Sequence, residues 1–196
     1  MAMSLARRRE SMGWEACLAW EADQPERYEL VDGEVYAMTG GTLAHDTIAN
    51  SLRAELRERL RGGSCRPHGP DLKVKAGANG RYPDALIDCG PWMPEAVVAQ
   101  EPVVVFAVLS RSTAWVDQSL KLRDYDAMPG VRSYVLVSQD EPRVLVHRRD
   151  GNGRLSSAAM LLVEGLDAVV ELPEPGISLP LAGIYEGIEF AGDRAA

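Results

Sequence analysis

Three short segments of this chain carry residue types that can do hydrolytic chemistry. Pro83-Asp84 stands at the head of a strand-like run, and Ala107, twenty-three residues on, lies inside the apolar run Val103 to Leu109. Asp117 and Lys121 follow one helical turn apart. The charge around them is uneven. Glu21 to Asp46 holds seven acidic residues and one basic residue, Arg27, whereas Asn50 to Gly80 holds seven basic residues and three acidic ones. A cleft between the acidic hairpin and the basic strand bearing Lys73 and Lys75 would set carboxylates beside cations, the arrangement that holds a metal near a phosphate. Taken singly, each signal has a simpler reading. An Asp at a strand end is more often a turn or cap residue than a ligand. Asp117 and Lys121 at i,i+4 read as a helix-surface ion pair worth about 0.3–0.5 kcal/mol.

Other candidates carry less. His45 opens a long helix, where a cap or packing role is as good a reading as a site role. Gly40-Gly41-Thr42 lacks the Walker spacing and the following Lys-Ser/Thr, and reads as a flexible turn. Ser110, Ser112 and Thr113 form no nucleophile elbow and read as helix caps. Cys17, Cys65 and Cys89 are odd in number, far apart and without a CxxC pair, so neither a disulfide framework nor a cysteine zinc site is expected. A reducing cytoplasm is the simplest setting. Val103 to Leu109, the longest apolar run, is too short to cross a bilayer, and Arg7-Arg8-Arg9 is followed by acid instead of an apolar leader. A soluble, cytoplasmic protein with no membrane association is the expectation.

The elements that must position these residues follow from periodicity. Tyr28 to Val31 and Glu34 to Met38, joined by Asp32-Gly33, read as a β-hairpin after a short amphipathic N-terminal helix bearing Trp14 and Leu18. Ile48, Leu52, Leu56 and Leu60 recur every four residues, giving a helix from His45 to about Leu60 that Gly62-Gly63 closes. Asp71 to Ala76 alternates as a half-buried strand with Lys73 and Lys75 on its polar side. Tyr82 to Cys89 and the β-branched run Val103 to Leu109 read as strands, the second covered on both faces and central to the sheet. A helix from Ser112 or Thr113 to about Ala127 and strands at Ser133 to Val137 and Arg143 to Arg149 complete an α/β class with a mixed central sheet flanked by helices. The 196 residues, 46% apolar and 26% charged, fit one domain over 1–196, with a core at about 26–149 and further strands and an acidic tail over 150–196. A net charge of -8 excludes indiscriminate coating of nucleic acid but leaves room for a local phosphate-binding cleft.

In order and spacing, Tyr28-Glu29-Leu30-Val31-Asp32-Gly33-Glu34-Val35, Met38 to His45, Arg81-Tyr82-Pro83-Asp84, and Val108-Leu109-Ser110-Arg111-Ser112-Thr113 with Asp117, Lys121 and Tyr125 resemble the Uma-two family of restriction-endonuclease-like proteins. The resemblance covers about Glu26 to Arg149. It implies the PD-(D/E)XK nuclease fold, with Asp84 as a metal-binding carboxylate, Glu34 as the family's Glu after Asp-Gly, and Lys121 as the lysine moved onto the helix. It also implies magnesium (or manganese) as cofactor, since a hard cation takes carboxylate and water ligands. Lys121 would orient water or offset phosphate charge. One position departs from the pattern: the family's acidic residue before Val-Leu-Ser is Ala107 here, and a methyl group binds no metal. Asp88, four residues beyond Asp84 on the same strand face, is a partial substitute for the missing carboxylate only across about 13 Å of strand.

The resemblance thus implies a metal-dependent endonuclease acting on DNA, with activity lowered or lost through Ala107. The alternative on the same fold is a non-catalytic nucleic-acid- or protein-binding module docking through Lys73, Lys75, Arg111 and Lys121. A homodimer is compatible with either, and an oligomerisation module without nucleic-acid affinity is a third reading.

Overall fold

A computed structural model of the chain describes residues 3–5, 11–109 and 114–190, with side chains described outside 3–5, 114–118 and 157–159. The elements run β1 (Met3–Leu5), α1 (Trp14–Glu21), β2 (Tyr28–Val31), β3 (Glu34–Met38), α2 (Leu43–Arg59), β4 (Arg66–His68), β5 (Val74–Ala76), β6 (Asn79–Arg81), β7 (Ala85–Asp88) and β8 (Pro102–Leu109). They continue with α3 (Ala114–Asp126), β9 (Ser133–Ser138), β10 (Arg143–Arg149), β11 (Leu155–Glu164), β12 (Val169–Leu172), β13 (Ile177–Pro180) and α4 (Leu181–Ile184).

Two sheets matter for the site. The larger has the order β11-β10-β9-β8-β7-β4, with β8 and β9 parallel and its other pairs antiparallel. The smaller has the order β1-β3-β2-β6-β5 and contains the hairpin. The hairpin forms where Asp-Gly requires it. Asp32 and Gly33 take φ values of 49° and 87°, the pair of positive angles that matches strand twist in a two-residue turn. A side chain at 33 would also strike the Ser11 hydroxyl.

β8 is central because its run of Val, Phe and Leu can be covered on both faces. Val104, Phe106 and Val108 enter one core cluster with Ile48, Leu52 and Leu56 of α2 and Val135 and Val137 of β9. Val105 and Ala107, on the opposite face, join Tyr125 of α3 with Leu86 and Leu136. The two helices therefore sandwich one sheet, and the ends of both lie near the C-terminal end of β8. Thr42 caps α2 by accepting a hydrogen bond from the His45 N–H at 3.1 Å. The Thr42 hydroxyl donates to Gln139 Oε1 at 2.8 Å, just past β9, which ties the start of α2 to that sheet end.

Several expectations need correction. The alternating run Asp71 to Ala76 pairs as a strand only from Val74, and Tyr82 to Cys89 is regular only from Ala85, because Asn79 to Arg81 crosses into the smaller sheet. Cys65 and Cys89 are joined by a disulfide, which overturns the reading of three separate thiols; their pairing across β4 and β7 has no sequence signature. Cys17 alone is free, and it is buried. No helix among the described residues is long and apolar enough to cross a membrane.

His147 gives the larger sheet a pH sensitivity. Its ring is buried in β10, stacked 6.2 Å from Tyr134, and burial pushes its pKa below the ordinary value, partly countered by the Ser156 carbonyl. The unfolded chain takes up a proton near the ordinary value of about 6.5, before the folded chain does. Stability is therefore whole above that pH and falls as pH drops through it toward the lower folded value. Urea midpoints of the wild type should fall more between neutral and mildly acidic pH than those of His147→Gln. An identical pH dependence in the variant would remove His147 as the cause.

Candidate active site

Asp84 immediately precedes β7, at the edge of the apolar core. Its N–H donates to the Phe106 carbonyl at 3.2 Å, and its Oδ2 accepts the Val108 N–H at 2.7 Å. Asp84 is thus bonded to the residues on either side of Ala107, Phe106 and Val108. The position where the family pattern places an acidic residue is therefore beside Asp84, and a methyl group occupies it.

Two helices add to this strand end. His45, in the first turn of α2, brings Nε2 to 3.2 Å from Asp84 Oδ1, without the alignment of a hydrogen bond. Lys121, from the middle of α3, acts on Asp84 electrostatically and lies with its Nζ 3.7 Å from Glu29 Oε1. Asp84 is 8% exposed. Burial works to raise its pKa, but His45, the Val108 N–H and Lys121 together outweigh it and hold the carboxyl below its usual range. An ionised carboxylate at the end of a buried strand is what a cation site requires.

Behind Lys121 lies a buried network. Glu29 accepts the Tyr82 N–H at 3.1 Å and pairs with Arg81 Nη1 at 3.0 Å. Arg81 donates through Nε and Nη2 to Asp124 Oδ2 at 2.9 and 2.6 Å, and Asn79 donates to Asp124 Oδ1 at 3.0 Å. Asp124 sits three residues after Lys121, on the same side of α3. The network therefore clamps α3 to the smaller sheet one turn beyond the lysine and fixes where that lysine stands.

The sequence candidates fare differently. Asp84 and Lys121 come together. Glu34 is exposed on β3, where the Tyr36 hydroxyl donates to it at 2.8 Å and has its pKa raised by that bond. Tyr36 is the cross-strand partner of Glu29, so Glu34 shares the hairpin face with Glu29, two pairs further along. The contacts described around Asp84 do not include it. Lys73 is corrected outright as a nucleic-acid contact: it is fully enclosed, paired with Glu21 and set 5.1 Å above the Tyr82 ring, because α1 covers the strand face read as solvated. Lys75 is exposed, 3.6 Å from Glu15 and 5.2 Å from the Trp14 ring centroid. Arg111, Ser110, Ser112 and Thr113 lie outside the described residues, as does the side chain of Asp117. Asp88 is a loop clasp whose carboxylate accepts the N–H groups of Gly90 and Gln100 at 2.7 and 2.6 Å.

Glu29, Arg81 and Asp124 were missed. The signal was present, since Glu29 and Arg81 are charges within short strand-like stretches and Asp124 shares the i,i+3 face of Lys121. Nothing local says that the three charges meet.

Among the described residues no three His, Cys, Asp or Glu side chains converge as a ligand set for a metal. A divalent cation still fits at Asp84, because the buried His45 Nε2 has no aligned hydrogen-bond partner and faces the same carboxylate oxygen. The fit is to a site with few protein ligands, the remainder being water or phosphate oxygen.

Comparison with known proteins bears on the family and the fold. A sequence model of the Uma2 family, described as "Putative restriction endonuclease", matches residues 14–182. An uncharacterized protein of Synechocystis sp. is 33% identical over 180 residues, covering 90% of this chain and 92% of that one. A crystal structure from Anabaena variabilis, described as "a putative nuclease belonging to DUF820", superposes with a TM-score of 0.69 at 16% identity, covering 88% of this chain and 97% of that one. The mixed sheet between α2 and α3 is the restriction-endonuclease-like fold.

Proposed function

The chain belongs to the Uma2 family, and from that premise we propose that it is a divalent-metal-dependent endonuclease hydrolysing phosphodiester bonds in DNA, working with one carboxylate fewer than its family pattern. The observation that carries this reading is the ionised, buried Asp84 carboxylate, fixed by the Val108 N–H and met from α3 by Lys121. Asp84 would hold the cation. When bound, magnesium or manganese would polarise the phosphate and supply an acidic water. Lys121, steadied by Glu29, would offset the negative charge that grows on the phosphate oxygens as the bond breaks. Asp84 cannot drift from this position, because its backbone and one carboxylate oxygen are both bonded to β8.

Ala107 favours a second reading, a nucleic-acid-binding module without catalysis, which predicts salt-dependent DNA binding that needs no metal. Nicking of supercoiled plasmid separates the two. The wild type should nick slowly with magnesium or manganese. Asp84→Asn should abolish this, and Lys121→Met should lower it by about 10²-fold, the scale of losing one charge-stabilising group. Metal-independent DNA binding, with no cleavage and no calorimetric uptake of either ion, would replace the nuclease reading with the binding one.

A further inference from the structure

We propose that His45 is itself a ligand to the cation that Asp84 would hold, turning the site from magnesium toward a borderline transition ion such as cobalt. The inference deepens the metal-dependent reading above and rests on it.

The geometry argues as follows. His45 is 9% exposed, and its Nε2 has no aligned hydrogen-bond partner among the described residues. Nε2 instead pairs with the Asp84 carboxylate, so a nitrogen and an oxygen that could both bind a cation stand together at the buried strand end. The Nε2 to Oδ1 separation is 3.2 Å. Two neighbouring ligands of an octahedral ion with bonds of about 2.1 Å stand about 3 Å apart, so the observed pair is spaced as cis ligands are. The ring is also held in place from behind. A Cβ on Gly41 would come within 3.0 Å of His45 Cγ and Nδ1, so the glycine before the Thr42 cap is the residue that lets the imidazole occupy this place. The Gly-Gly-Thr turn, which has no phosphate-loop pattern, thereby acquires a physical role.

The chemistry sets the selectivity. Magnesium favours oxygen ligands, whereas imidazole suits borderline ions, and a mixed nitrogen and oxygen pair favours the latter. The rival explanation is that a protonated His45 is only the counter-ion of Asp84. The two explanations differ in sign: deleting a ligand weakens cation binding, while deleting a competing positive charge strengthens it.

The test measures binding of manganese, cobalt and magnesium ions to the intact chain by calorimetry, together with proton NMR of the cobalt-loaded protein. Cobalt should bind at least about tenfold tighter than magnesium, with manganese between the two. The cobalt form should show one exchangeable, hyperfine-shifted imidazole N–H signal. His45→Gln should lose that signal and at least about tenfold in cobalt affinity while keeping its magnesium affinity. His45→Asn, a smaller replacement, guards against a failure of the first variant to fold. Equal or tighter cobalt binding by both variants would overturn the ligand role while leaving a metal-dependent nuclease in place. Cobalt binding with the imidazole signal but no cleavage would uphold the ligand role and end the nuclease reading. No binding of any of the three ions by the wild type would end both.

Discussion

Ala107→Glu is expected to raise magnesium-dependent nicking by roughly 10²–10³-fold, the scale associated with a single electrostatic group in a hydrolytic site. The reason is positional. Asp84 bonds through its N–H and one carboxylate oxygen to Phe106 and Val108, the residues on either side of 107, so a glutamate there should bring a second oxygen ligand close to it. The change has a cost. Ala107 is 8% exposed and packs among Val105, Leu86 and Tyr134, so a longer, charged side chain should lower the stability of the metal-free protein by about 1–3 kcal/mol. Magnesium should restore part of that loss, because a ligand that binds only the folded state stabilises it. Two measurements check this: initial nicking rates with magnesium for both proteins, and thermal midpoints with chelator or with magnesium. A folded glutamate variant that cleaves no faster and gains no stability from magnesium would falsify the assignment of position 107 to the site. The double variant Ala107→Glu with Asp84→Ala should be inactive.

Arg81→Met is expected to destabilise the fold by about 3–5 kcal/mol, the range for removing one partner from a buried ionic group. Arg81 is 1% exposed and is gripped by Glu29 and Asp124. Burial works against its charge, but the two carboxylates more than offset this and raise its pKa. Methionine would leave both carboxylates buried without a cation. Arg81→Lys keeps the charge but loses the planar fork that reaches two acids at once, so it should fall between wild type and methionine. Urea unfolding of the three proteins makes the comparison, and a loss below about 1 kcal/mol for Arg81→Met would place the network among contacts of surface strength. In variants that remain folded, the looser clamp on α3 should lower nicking before it lowers DNA binding, because Lys121 lies one turn from Asp124.

Much of the framework was legible because it depends on local spacing. The four-residue recurrence from Ile48 to Leu60 places α2 within two residues of its observed start, and Asp-Gly fixes the hairpin. The β-branched run around Val105 belongs to the central strand because no other placement buries both of its faces. The site was legible in part. Asp84 and Lys121 could be picked out by resemblance to a family pattern, but the charges around them could not. Lys73 shows why: strand alternation says which side of a strand it lies on, and only the docking of α1 decides that this side is closed. The disulfide between Cys65 and Cys89 is the same kind of miss, since adjacency of β4 and β7 is a fact of sheet order.

The sequence by itself determined the periods that make the helices and strands, the excess of acid over base, and the absence of a carboxylate at 107. The tertiary structure decided which charges meet. Arg81 lies 52 residues from Glu29 and 43 from Asp124, and His45 and Lys121 meet at Asp84 because α2 and α3 cover opposite faces of one sheet. Backbone sterics and side-chain periodicity act over a few residues, whereas a site of this kind is assembled by burial of apolar faces that lie far apart along the chain.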